Sequence, residues 1–211
     1  MPPTTLEIWA DIVCSWCYVG KRHLDTALEG IAGDDVEVVW RSFELDPTLP
    51  ADAGSADEEL ARRRGLTLPE ARAMHEETER MGAEIGIRFD FARARRGNTF
   101  DAHRVLHMAR SEGRQTAVLD RFLAGYFAEG EPIGDREALA RVAGGGGLDP
   151  EAVSEMLRSD AYAAEVRADE REAAALGITA VPFFVIDRRF GLAGAHPAET
   201  IREAIAQARV A

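Results

Sequence analysis

Residues 6–20 read LEIWADIVCSWCYVG, and the fold of the chain turns on the change of period inside this stretch. Leu6 to Ala10 is short, apolar and β-compatible, and Asp11 to Val13 turns the chain. From Cys14 onward the apolar and small positions Cys17, Gly20, Leu24, Ala27, Leu28 and Ile31 recur at three and four, which is one face of a helix. Residues 36–43, VEVVWRSF, are rich in β-branched and aromatic side chains and read as a strand. Strand, helix and strand in so short a span predict a βαβ unit with parallel strands.

The far end turns back to β. Residues 180–186, AVPFFVI, form a continuous apolar run, Asp187-Arg188-Arg189 reads as a turn, and Phe190 to Ala193 as a second strand. Pro197 to Ala208 is an alanine-rich helix opened by its proline. Between the two ends, Glu44 to Asp57 is loop, and Glu58 to Leu176 is helical in pattern and punctuated by glycines. The run Gly144–Gly147 reads as a turn between helices, because Leu148-Asp149-Pro150 restarts a helix at once. Neither end could bury a core alone, so the two should pack together with the helical block inserted.

The 211 residues are 46% hydrophobic and 29% charged, a globular balance. Twenty-five Lys plus Arg against 37 Asp plus Glu give a net charge of -12, which repels phosphate backbones and anionic membrane surfaces. Neither nucleic acid nor a membrane is an expected partner. Asp11 interrupts the early apolar stretch, and no apolar run approaches the ~18 residues of a membrane span, so the expected location is the cytoplasm. The two cysteines, Cys14 and Cys17, then sit in a reducing compartment, where a permanent disulfide closing so short a loop would add little. Chemistry or metal is the better explanation for them.

A Cys-x-x-Cys at the first turn of a helix, directly after a strand, has specific physics. The first helical N–H groups are unpaired and the dipole is positive there, so a thiolate at Cys14 is stabilised. Cys17 lies on the core-facing stripe, near enough along the helix for a disulfide. The pattern predicts an exposed, acidic Cys14 and a sheltered Cys17, one to attack and one to resolve a mixed disulfide. The competing reading is half of a zinc site completed by His103 and His107 on one helical face, but these lie much further along the chain than compact zinc modules allow. Metal and cofactor are therefore not expected. Trp16, between the cysteines, should be exposed near substrate, whereas Trp9 and Trp40 belong to strands and the core. Arg88, Arg93, Arg95 and Arg96 form a basic cluster that reads as a solvated loop.

The run Cys-x-Trp-Cys-Tyr-Val-Gly after a short strand resembles the DsbA family, and within it the FrnE-like branch of cytoplasmic dithiol–disulfide oxidoreductases. Further matches follow in order: Asn98-Thr99 with Ala102-His103, Tyr126-Phe127, Gly177-Ile178 leading to Val181-Pro182-Phe183-Phe184, and Gly194-Ala195 before Pro197. The resemblance spans essentially the whole chain, with Ser15 standing where many relatives carry proline. It implies an α/β, thioredoxin-like fold (βαβ plus ββα) with a large helical insertion, residues 1–45 and 176–211 forming the thioredoxin-like domain and 46–175 the insertion. It also implies that the Val181–Pro182 bond is cis and faces the cysteines. Cys14 and Cys17 then carry disulfide exchange or isomerisation. Trp16, Val181, Pro182 and His103 line the substrate site, and the Val181 backbone is open to an extended substrate. The partner is a protein or small-molecule disulfide or thiol, with glutathione or a thioredoxin-type dithiol as reductant. The alternative function comes from fold relatives, the kappa-class glutathione transferases and hydroxychromene-carboxylate isomerases. These typically place serine at the nucleophile position and lack the second cysteine.

Overall fold

The structure, a computed structural model, describes residues 3–31 and 35–210. Its first strand, β1 (Thr4–Ala10), is buried along almost its whole length. The reason is its place in the sheet. β2 (Val36–Ser42) pairs with it in parallel on one side, and β5 (Phe183–Ile186) pairs antiparallel on the other. β6 (Phe190–Ala193) completes the order β2-β1-β5-β6, antiparallel to β5. A central strand covered on both faces reads as a near-continuous apolar run rather than an alternating one. Helix α1 (Ser15–Leu28) links β1 to β2, and α9 (Ala198–Val210) packs beside it. This is the expected βαβ and ββα arrangement. Trp9 and Trp40 are both core, as their strand positions suggested.

The chain divides into two compact units, Met1–Leu45 with Arg167–Ala211, and Asp46–Val166. The second boundary falls inside the helix α8 (Ala163–Ala175), with Arg167 opening the last part of the first unit. Asp169, in the last part of α8, is bonded to the rest of the first unit. Its carboxylate accepts the backbone N–H of Ser42 at 2.9 Å and the Arg41 guanidinium at 2.9 Å. Its carbonyl accepts the Trp9 indole N–H at 3.0 Å. Arg41 also pairs with the buried Glu7 in β1, which takes Arg188 from the β5–β6 turn at 2.9 Å. One buried charge network thus ties β1, β2, α8 and the last hairpin together.

The Asp46–Val166 unit is mostly helical. β3 (Gly54–Ser55) pairs with β4 (Arg95–Arg96), so the expected loops at Gly54 and around the basic cluster are here a short ladder. Arg95 meets Asp52 at 2.9 Å and Arg96 is buried, which corrects the reading of that cluster as a wholly solvated loop. α2 (Ala56–Arg64) is capped by Ser55, and α3 (Leu68–Glu84) opens on a Thr67–Glu70 capping box. α4 (Phe100–Ser111), α5 (Gln115–Ala124), α6 (Arg136–Gly144) and α7 (Pro150–Arg158) follow, with consecutive members packed on one another and the glycine run turning the chain between α6 and α7. A π-helical turn, Gly125–Glu129, continues α5. It sets Phe127 edge-on to Phe89 and Phe91 and lets its carbonyl accept the Asp90 N–H at 2.7 Å.

Removing one partner from a buried, hydrogen-bonded charge network leaves the others uncompensated. Asp169→Ala should therefore lower stability by about 3–5 kcal/mol, and Asp169→Asn, which keeps an acceptor for Ser42, by clearly less. Urea denaturation of the three proteins measures both; an Ala variant as stable as the parent would show the network to be neutral.

Candidate active site

Cys14 stands at the hinge between strand and helix. Its N–H donates to the Asp11 carbonyl at 3.1 Å, closing the turn after β1. Its own carbonyl accepts Cys17 N–H at 3.0 Å and Tyr18 N–H at 3.2 Å, which starts α1. The helix therefore begins where the change of period predicted, with Cys14 as the residue that caps it. Both cysteines are free thiols, and Cys17 is 2% exposed.

Cys14 is 8% exposed, so the expected open thiol is in fact covered. Its sulfur faces the Val181 carbonyl at 3.6 Å, across 167 positions of sequence. Strand direction makes this meeting possible. β5 runs antiparallel to β1 with Trp9 opposite Phe183, so the residues just before Phe183 emerge at the sheet end where β1 gives way to the motif. The Val181–Pro182 bond is cis, and the Pro182 carbonyl accepts Gly194 N–H at 2.8 Å. The Val181 carbonyl, expected to stand open for substrate, is already turned toward the sulfur. Val181, Phe183 and Phe43 lie half-buried against a core of Trp9, Ala173, Ile178 and Val185. Trp16 is 50% exposed, in line with its expected surface position.

The two thiols titrate in opposite directions. Cys14 is held below the ordinary thiol value, chiefly by a hydrogen bond from the Cys17 side chain, against the opposing cost of burial. The backbone N–H groups of Cys17 and Trp16 at the helix start also favour its thiolate. Cys17 is pushed well above the ordinary value, first by burial and then by its bond and charge interaction with Cys14. The pair thus behaves as one acidic and one protonated thiol.

Asp11 is a participant that the sequence reading took only for a turn residue. It is 1% exposed, and its carboxylate accepts Leu45 N–H at 2.7 Å, tying the motif turn to the segment after β2. Its charge raises both thiols and so opposes the helix start. The signal was visible in the sequence, since an acid set among apolar residues must find a buried hydrogen-bond partner. Of the sequence candidates, the structure brings Cys14, Cys17, Val181 and Pro182 together. His103 lies 2% exposed on α4, in the other unit, with His107 also buried there. Among the described residues no group of three or more His, Cys, Asp or Glu is placed to hold a metal ion, and no helix is long and apolar enough to cross a membrane.

Comparison with known proteins points the same way as the geometry. A family model described as a DSBA-like thioredoxin domain matches residues 5–206. The crystal structure of a probable DsbA oxidoreductase from Streptomyces coelicolor is 44% identical, with TM-score 0.91 over 98% of this chain and 90% of that one. The cytosolic disulfide reductase DsbM from Pseudomonas aeruginosa is 20% identical, with TM-score 0.64 over 98% of this chain and 100% of that one. A 2-hydroxychromene-2-carboxylate isomerase is 14% identical, with TM-score 0.70 over 96% and 95%. The last two likenesses are of fold.

The causes acting on Cys14 give opposite signs for two substitutions. Asp11→Asn removes a repelling charge and should move the pH midpoint of Cys14 alkylation downward. Cys17→Ala removes the hydrogen-bond donor that favours the thiolate and should move it upward. Iodoacetamide rates from pH 4 to 10, assigned to Cys14 by peptide mapping, measure both; midpoints moving in the same direction would contradict the assignment of causes.

Proposed function

The chain belongs to the DSBA-like thioredoxin domain family, and on that footing we propose that it is a dithiol–disulfide oxidoreductase in which Cys14 attacks and Cys17 resolves. The observation that carries this reading is the pair of free thiols at the head of α1, with Cys14 facing the Val181 carbonyl at 3.6 Å and Cys17 buried behind it; their environments push Cys14 down and Cys17 up. Thiol–disulfide exchange needs a thiolate as nucleophile and a second thiol held in reserve.

The Cys14 thiolate attacks one sulfur of a substrate disulfide, forming a Cys14–substrate bond as the substrate S–S bond breaks. The departing sulfur leaves with the electron pair and takes up a proton. Forming the mixed disulfide consumes the charge on Cys14, and with it one cause of the raised Cys17 value, so Cys17 loses its proton more readily. Its thiolate attacks Cys14, closing Cys14–Cys17 and expelling the second substrate thiolate. The substrate has gained two electrons and one proton, the proton that Cys17 gave up, and its second sulfur leaves as a thiolate; the motif has lost the same two electrons and one proton. A dithiol of the thioredoxin type, or two molecules of glutathione, returns the motif to the reduced form. If a substrate thiol attacks the mixed disulfide before Cys17 does, the outcome is isomerisation. We place the reaction in the cytoplasm, whose thiol pool favours reduction or isomerisation over net oxidation. Val181 and Pro182 form the wall against which the substrate sulfur approaches, with Trp16 at its exposed rim. The paired cysteines support this reading over glutathione conjugation, which has no use for Cys17.

Insulin reduction driven by glutathione or dithiothreitol should fall to the uncatalysed rate in Cys14→Ser. Cys17→Ser should accumulate a mixed disulfide at Cys14 that mass spectrometry detects. If conjugation of glutathione to an electrophile proceeds in the parent protein and survives Cys14→Ser, the transferase or isomerase reading replaces this one.

A further inference from the structure

Gly20 lies within α1, one turn beyond Cys17, on the buried face of the helix. Its φ is not positive, so the backbone there does not require glycine, and local propensity favours alanine at such a position. What a side chain there would lack is space. A Cβ at Gly20 would lie 3.0 Å from Pro182 Cγ and 3.5 Å from both Pro182 Cβ and Phe184 Cζ. We propose that Gly20 is a positioning residue of the redox site: the bare helix face seats the Pro182 ring, and the seated ring holds the Val181 carbonyl against the Cys14 sulfur. The proposal rests on Cys14 being the reactive thiol.

Pro182 has little freedom to yield. Its ring carries no rotatable side chain, its carbonyl is bonded to Gly194 N–H, and Phe183 after it is fixed between Trp9 and Ala193. A methyl group at position 20 would push the ring away from α1 and carry the Val181–Pro182 peptide with it. Cys14 sits at the head of the same helix, so the carbonyl would draw away from its sulfur, now 3.6 Å distant. A carbonyl that accepts from the thiol favours the protonated form, so its withdrawal favours the thiolate. The other groups that act on Cys14 are Cys17, Asp11 and the amides of Trp16 and Cys17, whereas the side-chain atoms nearest the added methyl belong to Pro182 and Phe184.

The experiment measures the pH midpoint of Cys14 alkylation in the full chain, without substrate. Gly20→Ala should lower it by about half a unit, the scale of one weak hydrogen bond. Ala27→Val, which overpacks the same buried face of α1, serves as the control and should leave the midpoint unchanged. An unchanged midpoint in Gly20→Ala, or an equal shift in Ala27→Val, would overturn the proposal and leave Gly20 a packing residue. Should Gly20→Ala fail to fold by circular dichroism, Gly20→Ala with Phe184→Leu relieves the second contact and must show the same downward shift. The midpoint needs no exchange activity, so failure of the proposed function and failure of this proposal are read separately.

Discussion

The register of β5 against β1, with Trp9 opposite Phe183, is the constraint on which the rest of the site depends. Side chains alternate along a strand, so a slip of one residue would send each of them to the other face. It would also carry Val181 away from the turn that holds Cys14. The register is held because both faces of β1 are buried, because Thr5 and Asp187 exchange hydrogen bonds just beyond the paired residues, and because Glu7 in β1 takes Arg188 from the turn after β5. Chemistry at the sheet end is therefore underwritten by packing and charge in its middle.

The network also explains how an acidic chain uses its arginines. With 37 acidic residues against 25 basic ones, buried carboxylates need cations placed for them. Arg41 and Arg188 serve Glu7, and Arg167 reaches Glu44 at 2.6 Å. A buried ion pair adds modest net stability, but losing one partner is costly, and that asymmetry makes such a network a device of alignment.

At the site itself, burial and hydrogen bonding compete, and they do so differently for two neighbouring thiols. Burial raises both Cys14 and Cys17, and so does the Asp11 charge. Cys14 escapes because the Cys17 thiol donates to it and because the first amides of α1 face it. For Cys17 burial outweighs the backbone hydrogen bond with Asp11 that favours its thiolate, and it keeps its proton. Exposure is not what makes Cys14 acidic; the helix start and its partner are.

The local elements were legible in the sequence because they follow from period and composition. The change from strand to helix at Cys14, the parallel βαβ unit, the closing hairpin and helix, and the pair Cys14 and Cys17 all come from residues near one another along the chain. Tertiary structure alone decided the rest. The cover over Cys14 comes from Val181, 167 positions away, and no local pattern encodes a distance across a sheet. The boundary falls inside α8, where the Asp169 carboxylate reaches Ser42 and Arg41, contacts made far along the chain that no local period encodes. The two-residue ladder at Arg95–Arg96 and the π-helical turn at Gly125–Glu129 are too short to leave a period. Gly20 is the sharpest case: from the sequence it is one more small residue on a helix face, and only the fold shows that a side chain there would meet the Pro182 ring at 3.0 Å.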